Sequence, residues 1–493
     1  MTIAPGLVGR PWWIDDAGLG VVADPLDGEQ SADVVVVGGG FTGLWTALAL
    51  RERSPDVDVA VVEADFCGSG PSGRNGGFVH GYWSALPTAV SLFGASRALE
   101  LARAADRIIP GVRSFLDARG ANAWLHAGGL LEVSAAPTQD EAIAHGADVA
   151  RSLGVPDEAI ELDAHEVASR CASPVFRGGV FYRDGATVHP ARLVKALRDA
   201  VIDAGIRVYE RSPVVRVENG GGPRASAPRA AAPAAGPVLA SSPPASTSAP
   251  CVRTARGSLR ADAVVVATNA WMTGWRPVAN RVTNMGSWVV LTEPAPDALA
   301  AIGWTGREAI TDGRTFLHYF RTTDDGRVLM GAGAGQIGFA GKVDDRFFAD
   351  AATHLRAEAG LRRLLPAFAD VEIERTWGGP IDVSADRLPF FGSQGRVHFG
   401  VGYTGNGVGP SWLGGQILAS LALGIEDEWT TLPLVGRRPR PLPPEPFRYV
   451  GGRAIRAATL ACEDAGEAGR PEPRLAAAIA SIPRRIGIPL GTR

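Results

Sequence analysis

Three glycines spaced Gly38-x-Gly40-x-x-Gly43, enclosing Phe41 and Thr42, are followed by an acidic residue, Glu63, about 20 positions beyond the last of them. In such a pattern the first glycine permits a tight turn and the second lets the backbone approach a pyrophosphate. The third allows close packing of helix on strand. The helix opening there offers free N–H groups to the anion, and Glu63 stands where a ribose hydroxyl is held. Alone the glycines are a weak signal. Here they follow a β-branched run at residues 32–37 and precede a helix over 44–53, and an apolar strand at 57–62 ends at Glu63. That is one complete β-α-β unit, of the kind used for both NAD and FAD.

Two further glycine-laden segments bear on that choice. Ser72, Gly73, Arg74, Asn75, Gly76 and Gly77 form a second cradle, which suits a large cofactor; the alternative is a solvated surface loop. Gly405, Asn406, Gly407 and Val408 open an apolar helix over about 409–423, where fixed N–H donors and a positive dipole end would meet developing negative charge. Its alternative is an ordinary tight turn.

The elements that must hold these segments read as an α/β chain of two to four domains. Two helices are expected between 87 and 119, one over 139–153 and one over 190–205, leading into a strand at 207–210. Residues 219–250 are rich in Gly, Pro, Ala and Ser and cannot offset their ordering entropy by burial, so they read as a disordered insertion. A strand at 261–267 resumes afterwards, which places the insertion in a hairpin of one domain. Strands at 288–291, 316–321 and 327–330, with a helix over 347–364, read as a second domain on an antiparallel sheet. A strand at 397–401 precedes the late helix, and Ala/Arg-rich helices follow Trp429.

The chain has 493 residues, 46% hydrophobic and 20% charged, the proportions of a globular protein. Its 49 basic and 52 acidic residues give a net charge of −3, so no nucleic-acid partner is expected. Cys67, Cys171, Cys251 and Cys462 are scattered with no C-x-x-C pair, which supports neither a metal site nor a disulfide framework. No run approaches the ~18 apolar residues of a transmembrane segment, and a reduced, cytoplasmic protein is expected.

With residues 263–267 leading into Thr268 and Asn269, then Trp377-Gly378-Gly379 and the Gly402-Tyr403-Thr404-Gly405 turn, the ordered set of motifs resembles the FAD-dependent D-amino-acid oxidase and glycine/sarcosine oxidase superfamily. It is most similar to gamma-glutamylputrescine oxidase-type members, over roughly residues 30 to 425. The resemblance implies a Rossmann-like, glutathione-reductase-type FAD domain built from 30–105, 186–275 and 376–425. It implies an α+β substrate domain from 106–185 and 276–375, with an insertion at 219–253 and a helical extension at 430–493. It further implies that Gly38, Gly40, Phe41, Thr42 and Gly43 hold the FAD pyrophosphate and Glu63 the adenosine ribose. Val214 would offer its backbone to the adenine and Thr268, with Asn269, would lie near the pyrophosphate. Residues 72–77 would run beside the ribityl chain and ring, and Gly405 to Val408 would face the flavin N1/C2 edge.

Flavin oxidation of an amine needs a neutral amine with its C–H near N5 in a pocket that excludes water; the imine formed is then hydrolysed. Tyr319, Arg321, Trp377 and Tyr403 are the candidate walls, with Tyr319 and Arg321 on one strand face. Their alternatives are core aromatics and, for Arg321, a surface ion pair. Family members acting on amino acids carry an Arg shortly after Trp-x-Gly to clamp the carboxylate, whereas here Pro380, Ile381 and Asp382 follow. An amine or polyamine-derived substrate is therefore expected, with Asp382 or Asp386 meeting a distant cation. The electron acceptor, oxygen or another, is left open. So are a flavin enzyme acting on amino acids or 2-hydroxy acids, and a non-catalytic flavoprotein or surface adaptor using residues 453–493. His80 stands near the second cradle and reads as a loop histidine. No Cys lies near the 402–408 turn, so FAD is expected to be non-covalent: acid precipitation should release the yellow colour into the supernatant, and a coloured pellet would contradict this.

Overall fold

A computed structural model describes residues 9–219, 249–333 and 335–487. The β-branched run extends into the strand Gly28–Val37, which lies mid-sheet because both its faces are covered: Val34, Val35, Val36 and Val37 are all buried. It pairs in parallel with Val59–Val62 on one side and Gly257–Val266 on the other. Arg207–Tyr209 and Val397–Val401 extend the parallel ladder outward, and Phe390–Gln394 closes one edge antiparallel. The fingerprint helix is Phe41–Arg53, and the late helix Val408–Leu423 lies directly against it: a Cβ on Gly415 would come within 2.6 Å of the Trp45 Cβ.

The second sheet has eight strands, in the order Ile373–Ser384, Val282–Thr292, Val328–Ala332, His318–Thr322, Ala309–Asp312, Leu130–Ser134, Gly178–Tyr182 and Ile160–Asp163. All neighbours are antiparallel except Ala309–Asp312 beside Leu130–Ser134. The helix Ala351–Leu364 covers it through Ala357, Leu361 and Leu364.

Several boundaries differ from those expected. Three helices, not two, occupy the region around 87–119, because Gly94 at φ +77° separates Leu86–Phe93 from Ala95–Ala105 and a turn precedes Ile108–Arg119. The division at 375/376 falls inside the strand Ile373–Ser384, which pairs along its length with Val282–Thr292, so residues 376–384 sit with the second sheet. Conversely, Ile108–Arg119 packs on the late helix, since a Cβ on Gly111 would meet the Trp412 indole at 2.5 Å. Those residues lie with the first sheet and not with the substrate domain.

Most of the 219–253 tract, residues 220–248, lies outside the described residues. Its flanks, Arg216–Glu218 and Cys251–Arg253, pair antiparallel and are joined by the Arg253–Glu218 ion pair. In the C-terminal region the helix Phe447–Glu467 docks on the chain's own second domain: Leu460 packs with Met285, Phe316 and Ile337, and Glu463, Asp464 and Glu467 surround Arg314. No described helix is long and apolar enough to cross a membrane. Because the two flanks are already held together, replacing residues 220–248 by a short turn should keep the flavin content and leave the melting temperature within a few degrees, loop closure depending only weakly on length. A folded deletion variant that cannot retain flavin would contradict this.

Candidate active site

The fingerprint turn is held by close contacts that only glycine permits. Gly38 adopts φ +111°, and a Cβ there would lie 2.6 Å from the Ala267 carbonyl oxygen. A Cβ on Gly43 would fall 1.9 Å from the Gly38 carbonyl oxygen, so helix and strand cross as closely as the backbone allows. Gly40 is the N-cap of the helix, where the Phe41 N–H donates to Ser72 Oγ at 3.0 Å and Thr42 Oγ1 donates to Tyr403 Oη at 3.0 Å. The fingerprint is thereby tied to both other glycine segments. Glu63 accepts from the Gly39 N–H at 2.7 Å and the Asp65 N–H at 3.1 Å, and burial pushes its carboxyl pKa up. Thr268 lies beside Gly38. Val214 is half-buried and packs against the apolar core of the first sheet.

A cavity of about 450 Å³ opens between the two sheets. Arg74, Asn75 and Gly76 line it, as do Tyr403, Gly405, Asn406 and Val408. Tyr319, Ser287, Gly379, Pro380 and Ile381 form the wall contributed by the second sheet. Glu132, His145 and Arg314 stand at the substrate-domain end. The second cradle is not a loose loop. Asn75 Nδ2 donates to the carbonyls of Pro71 and Ser72, and its Oδ1 accepts from the Gly77 N–H at 2.7 Å. Two indoles hold it from behind: Trp377 Nε1 donates to the Arg74 carbonyl at 2.8 Å and Trp13 Nε1 to the Asn75 carbonyl at 3.0 Å.

Of the four expected wall residues, the structure brings Tyr319 and Tyr403 to the cavity and leaves two behind it. Trp377 is buried against Trp13, so it holds the cradle and is not a wall. Tyr319 and Arg321 do share a face, lying against Gly76 and Gly77 respectively, but Arg321 is fully buried, neither at the cavity nor on the surface. Asp382 does not meet a substrate cation either. Its carboxylate accepts from the Gly402 N–H at 2.5 Å and from Asn269 Nδ2 at 2.9 Å, clamping the edge strand to two turns, and burial pushes its pKa up to about 6. Asp386 is likewise engaged by Arg437. Asn269 thus reaches the site through Asp382.

The late helix begins at Val408 with Gly407 as its N-cap, its first turn at the cavity. Asn406 places its Nδ2 3.4 Å from His80 Nδ1 and from the Gly81 carbonyl, while its buried Oδ1 has no partner among the described residues. Burial pushes the His80 pKa down to about 4, so the imidazole is neutral at pH 7. These features fit FAD: a glycine crossing for a diphosphate, a half-buried carboxylate for a ribose, a ring-sized cavity, and an orphaned acceptor beside a helix N-terminus. The sequence reading assigned no role to Trp13 or Ser287 and left His80 as a loop histidine. Trp13 carried no usable signal, since a Trp12-Trp13 pair outside any glycine motif reads as core.

With that architecture in place, the chain belongs to the FAD dependent oxidoreductase family, whose profile matches residues 33–421. Members act on CH–NH donors with FAD as cofactor, and the chain is an oxidoreductase of this kind for amine or amino-acid-type substrates. Among curated proteins it is 28% identical to gamma-glutamylputrescine oxidoreductase of Escherichia coli over 88% of this chain and 91% of that one. It is 25% identical to the protein described as "Probable oxidoreductase OrdL" of Haemophilus influenzae, over 85% of this chain and 89% of that one. Its fold matches the crystal structure of glycine oxidase from Geobacillus kaustophilus with a TM-score of 0.64 at 21% identity, covering 83% of this chain and 99% of that one.

Asp184 receives the Gly81 N–H at 2.8 Å beside His80; burial, with Asp106 and Glu158 nearby, pushes its pKa up to about 7. A carboxyl whose folded-state pKa is raised favours folding most below the unfolded value, about 4, and loses that advantage as pH rises to 7. Asp184→Asn should therefore gain stability relative to wild type, by up to a few kcal/mol, between pH 4 and 7. Denaturant titrations across that range check it, and a difference independent of pH would refute it.

Proposed function

We propose that the protein oxidises the C–N bond of a small amine lacking an α-carboxylate, an amine or polyamine-derived substrate, to an imine that water then hydrolyses. One observation carries this reading: the strand Ile373–Ser384 presents Gly379, Pro380 and Ile381 to the cavity beside Tyr319, and Asp382, the charged residue next to them, is turned into the backbone clamp. That wall offers no cation to a carboxylate at the reacting carbon.

FAD, when bound, would supply a hydride acceptor at N5 and two electrons for oxygen or another acceptor. The residues of this chain do the rest. Tyr319 is fixed by a 2.8 Å hydrogen bond with Ser287 Oγ and by an edge-to-face contact with Phe78 at 5.8 Å. Burial pushes its phenol pKa up to about 12, so it stays protonated and presents a hydroxyl and an apolar ring to a neutral amine. Neutral His80 adds no charge to the site. The Gly405–Val408 turn and the helix N-terminus behind it would stabilise negative charge at the flavin N1/O2 edge, and Gly38 to Gly43 with Glu63 would hold the diphosphate and ribose.

A second reading rests on Arg387, which lines the cavity farther along the chain than the expected clamp position. It would suit an amino acid or 2-hydroxy acid. Anaerobic mixing with amines, diamines, α-amino acids and 2-hydroxy acids separates the two: amines should bleach the flavin fastest, and faster bleaching by α-amino acids would overturn the proposal. Tyr319→Phe should retain FAD but lose about tenfold in kcat/KM on the best amine, the worth of one positioned hydrogen bond.

A further inference from the structure

Arg321, on the strand His318–Thr322, is 0% exposed, yet its hydrogen bonds run to neutral carbonyls: Nε donates to Thr322 O at 2.9 Å and Nη1 to Val188 O at 2.6 Å. Nη2 is buried and has no partner among the described residues. Asp324, whose field reaches it, is already shared by Arg307 and His126. Burial lowers its pKa to about 9, so the guanidinium remains charged at neutral pH. Burying a cation without a carboxylate partner is costly. Joining two carbonyls does not require a charge, because a neutral amide would also donate to them.

The Trp13 ring, 5.8 Å from the guanidinium carbon, offsets part of that cost; what else the charge faces accounts for the rest. A Cβ on Gly77 would lie 2.8 Å from Arg321 Nη1, and a Cβ on Gly76 would lie 2.9 Å from the Tyr319 ring. Gly76 and Tyr319 line the cavity. The guanidinium is thus one layer of backbone behind the cradle, shielded from water, where a fixed charge acts at low effective dielectric. The ring of a flavin that has accepted electrons, or a nucleophile at N5, carries its extra negative charge at N1 and O2.

We propose that Arg321 is an internal counter-ion for the bound flavin: acting across the Gly76 and Gly77 backbone, its charge stabilises negative charge on the ring and sets how readily the flavin is reduced, without touching substrate. Sulfite titration of the FAD-loaded protein reads this directly, because the sulfite lone pair adds to N5, leaves negative charge on the ring and bleaches the yellow colour. Arg321→Lys, which keeps the charge, should bind sulfite within about threefold of wild type. Arg321→Gln, which keeps a donor to the carbonyls but not the charge, should bind FAD yet weaken sulfite affinity on the order of tenfold or more, as expected for one unit charge several Å away at an effective dielectric of about 20. Arg321→Met is a second neutral variant should the Gln substitution impair folding. FAD-loaded neutral variants with wild-type sulfite affinity overturn the proposal, as does a wild-type flavin inert to sulfite.

Discussion

The segment from Arg74 to Gly77 lies between the two sheets, and the site depends on its being held there. Its backbone has no ladder of its own, so each buried carbonyl must find a donor elsewhere. Trp377, from the edge of the second sheet, supplies one to Arg74, and Trp13, from the short helix Trp12–Asp16, supplies the next. The two indoles meet edge to face at 6.3 Å, so each also sets the other's position. Asn75 satisfies the inner carbonyls of Pro71 and Ser72 with its own side chain. The cradle is rich in glycine, yet hydrogen bonds hold it at Arg74, Asn75 and Gly77.

A second joint, Asp382, plays the same part on the other side of the cavity. Its buried carboxylate joins the edge strand to Gly402 at the start of the late turn and to Asn269 after the strand Gly257–Val266. Asn269 stands at φ +47°, a conformation tolerated because its Oδ1 accepts from the Ala270 N–H and its Nδ2 is held by Asp382. A raised carboxyl pKa at this point reflects burial only partly offset by donors, and the carboxylate works as structure and not as substrate contact. Thr42 and Tyr403 complete the frame by linking the two helix N-termini. Glycine turns that are far apart in sequence are thus bound to one another through side chains.

Much of the cofactor half was legible because local rules decide it. A buried parallel strand must be β-branched along its length, a close helix crossing must have glycine, and an apolar helix after a glycine turn must present its N-terminus. Each of these leaves a mark within a few residues. The cavity walls leave none. Trp377 and Tyr403 both read as aromatics beside glycine turns, yet one lines the cavity and the other is turned into the core to hold Arg74. Arg321 reads as a cavity wall or, alternatively, a surface ion-pair member, and is completely buried behind the cavity.

What this sequence determined by itself was the β-α-β unit, the residues that shape its turn, and the alternation that places Tyr319 and Arg321 on one strand face. These follow from backbone sterics and from side-chain periodicity, which act between near neighbours. The tertiary structure alone decided which residues back the cradle, which carboxylates serve as joints, and how the chain divides between its two sheets. Strand pairing and burial join residues hundreds of positions apart, and no local pattern records whether a given indole or guanidinium will face a cavity or the wall behind it.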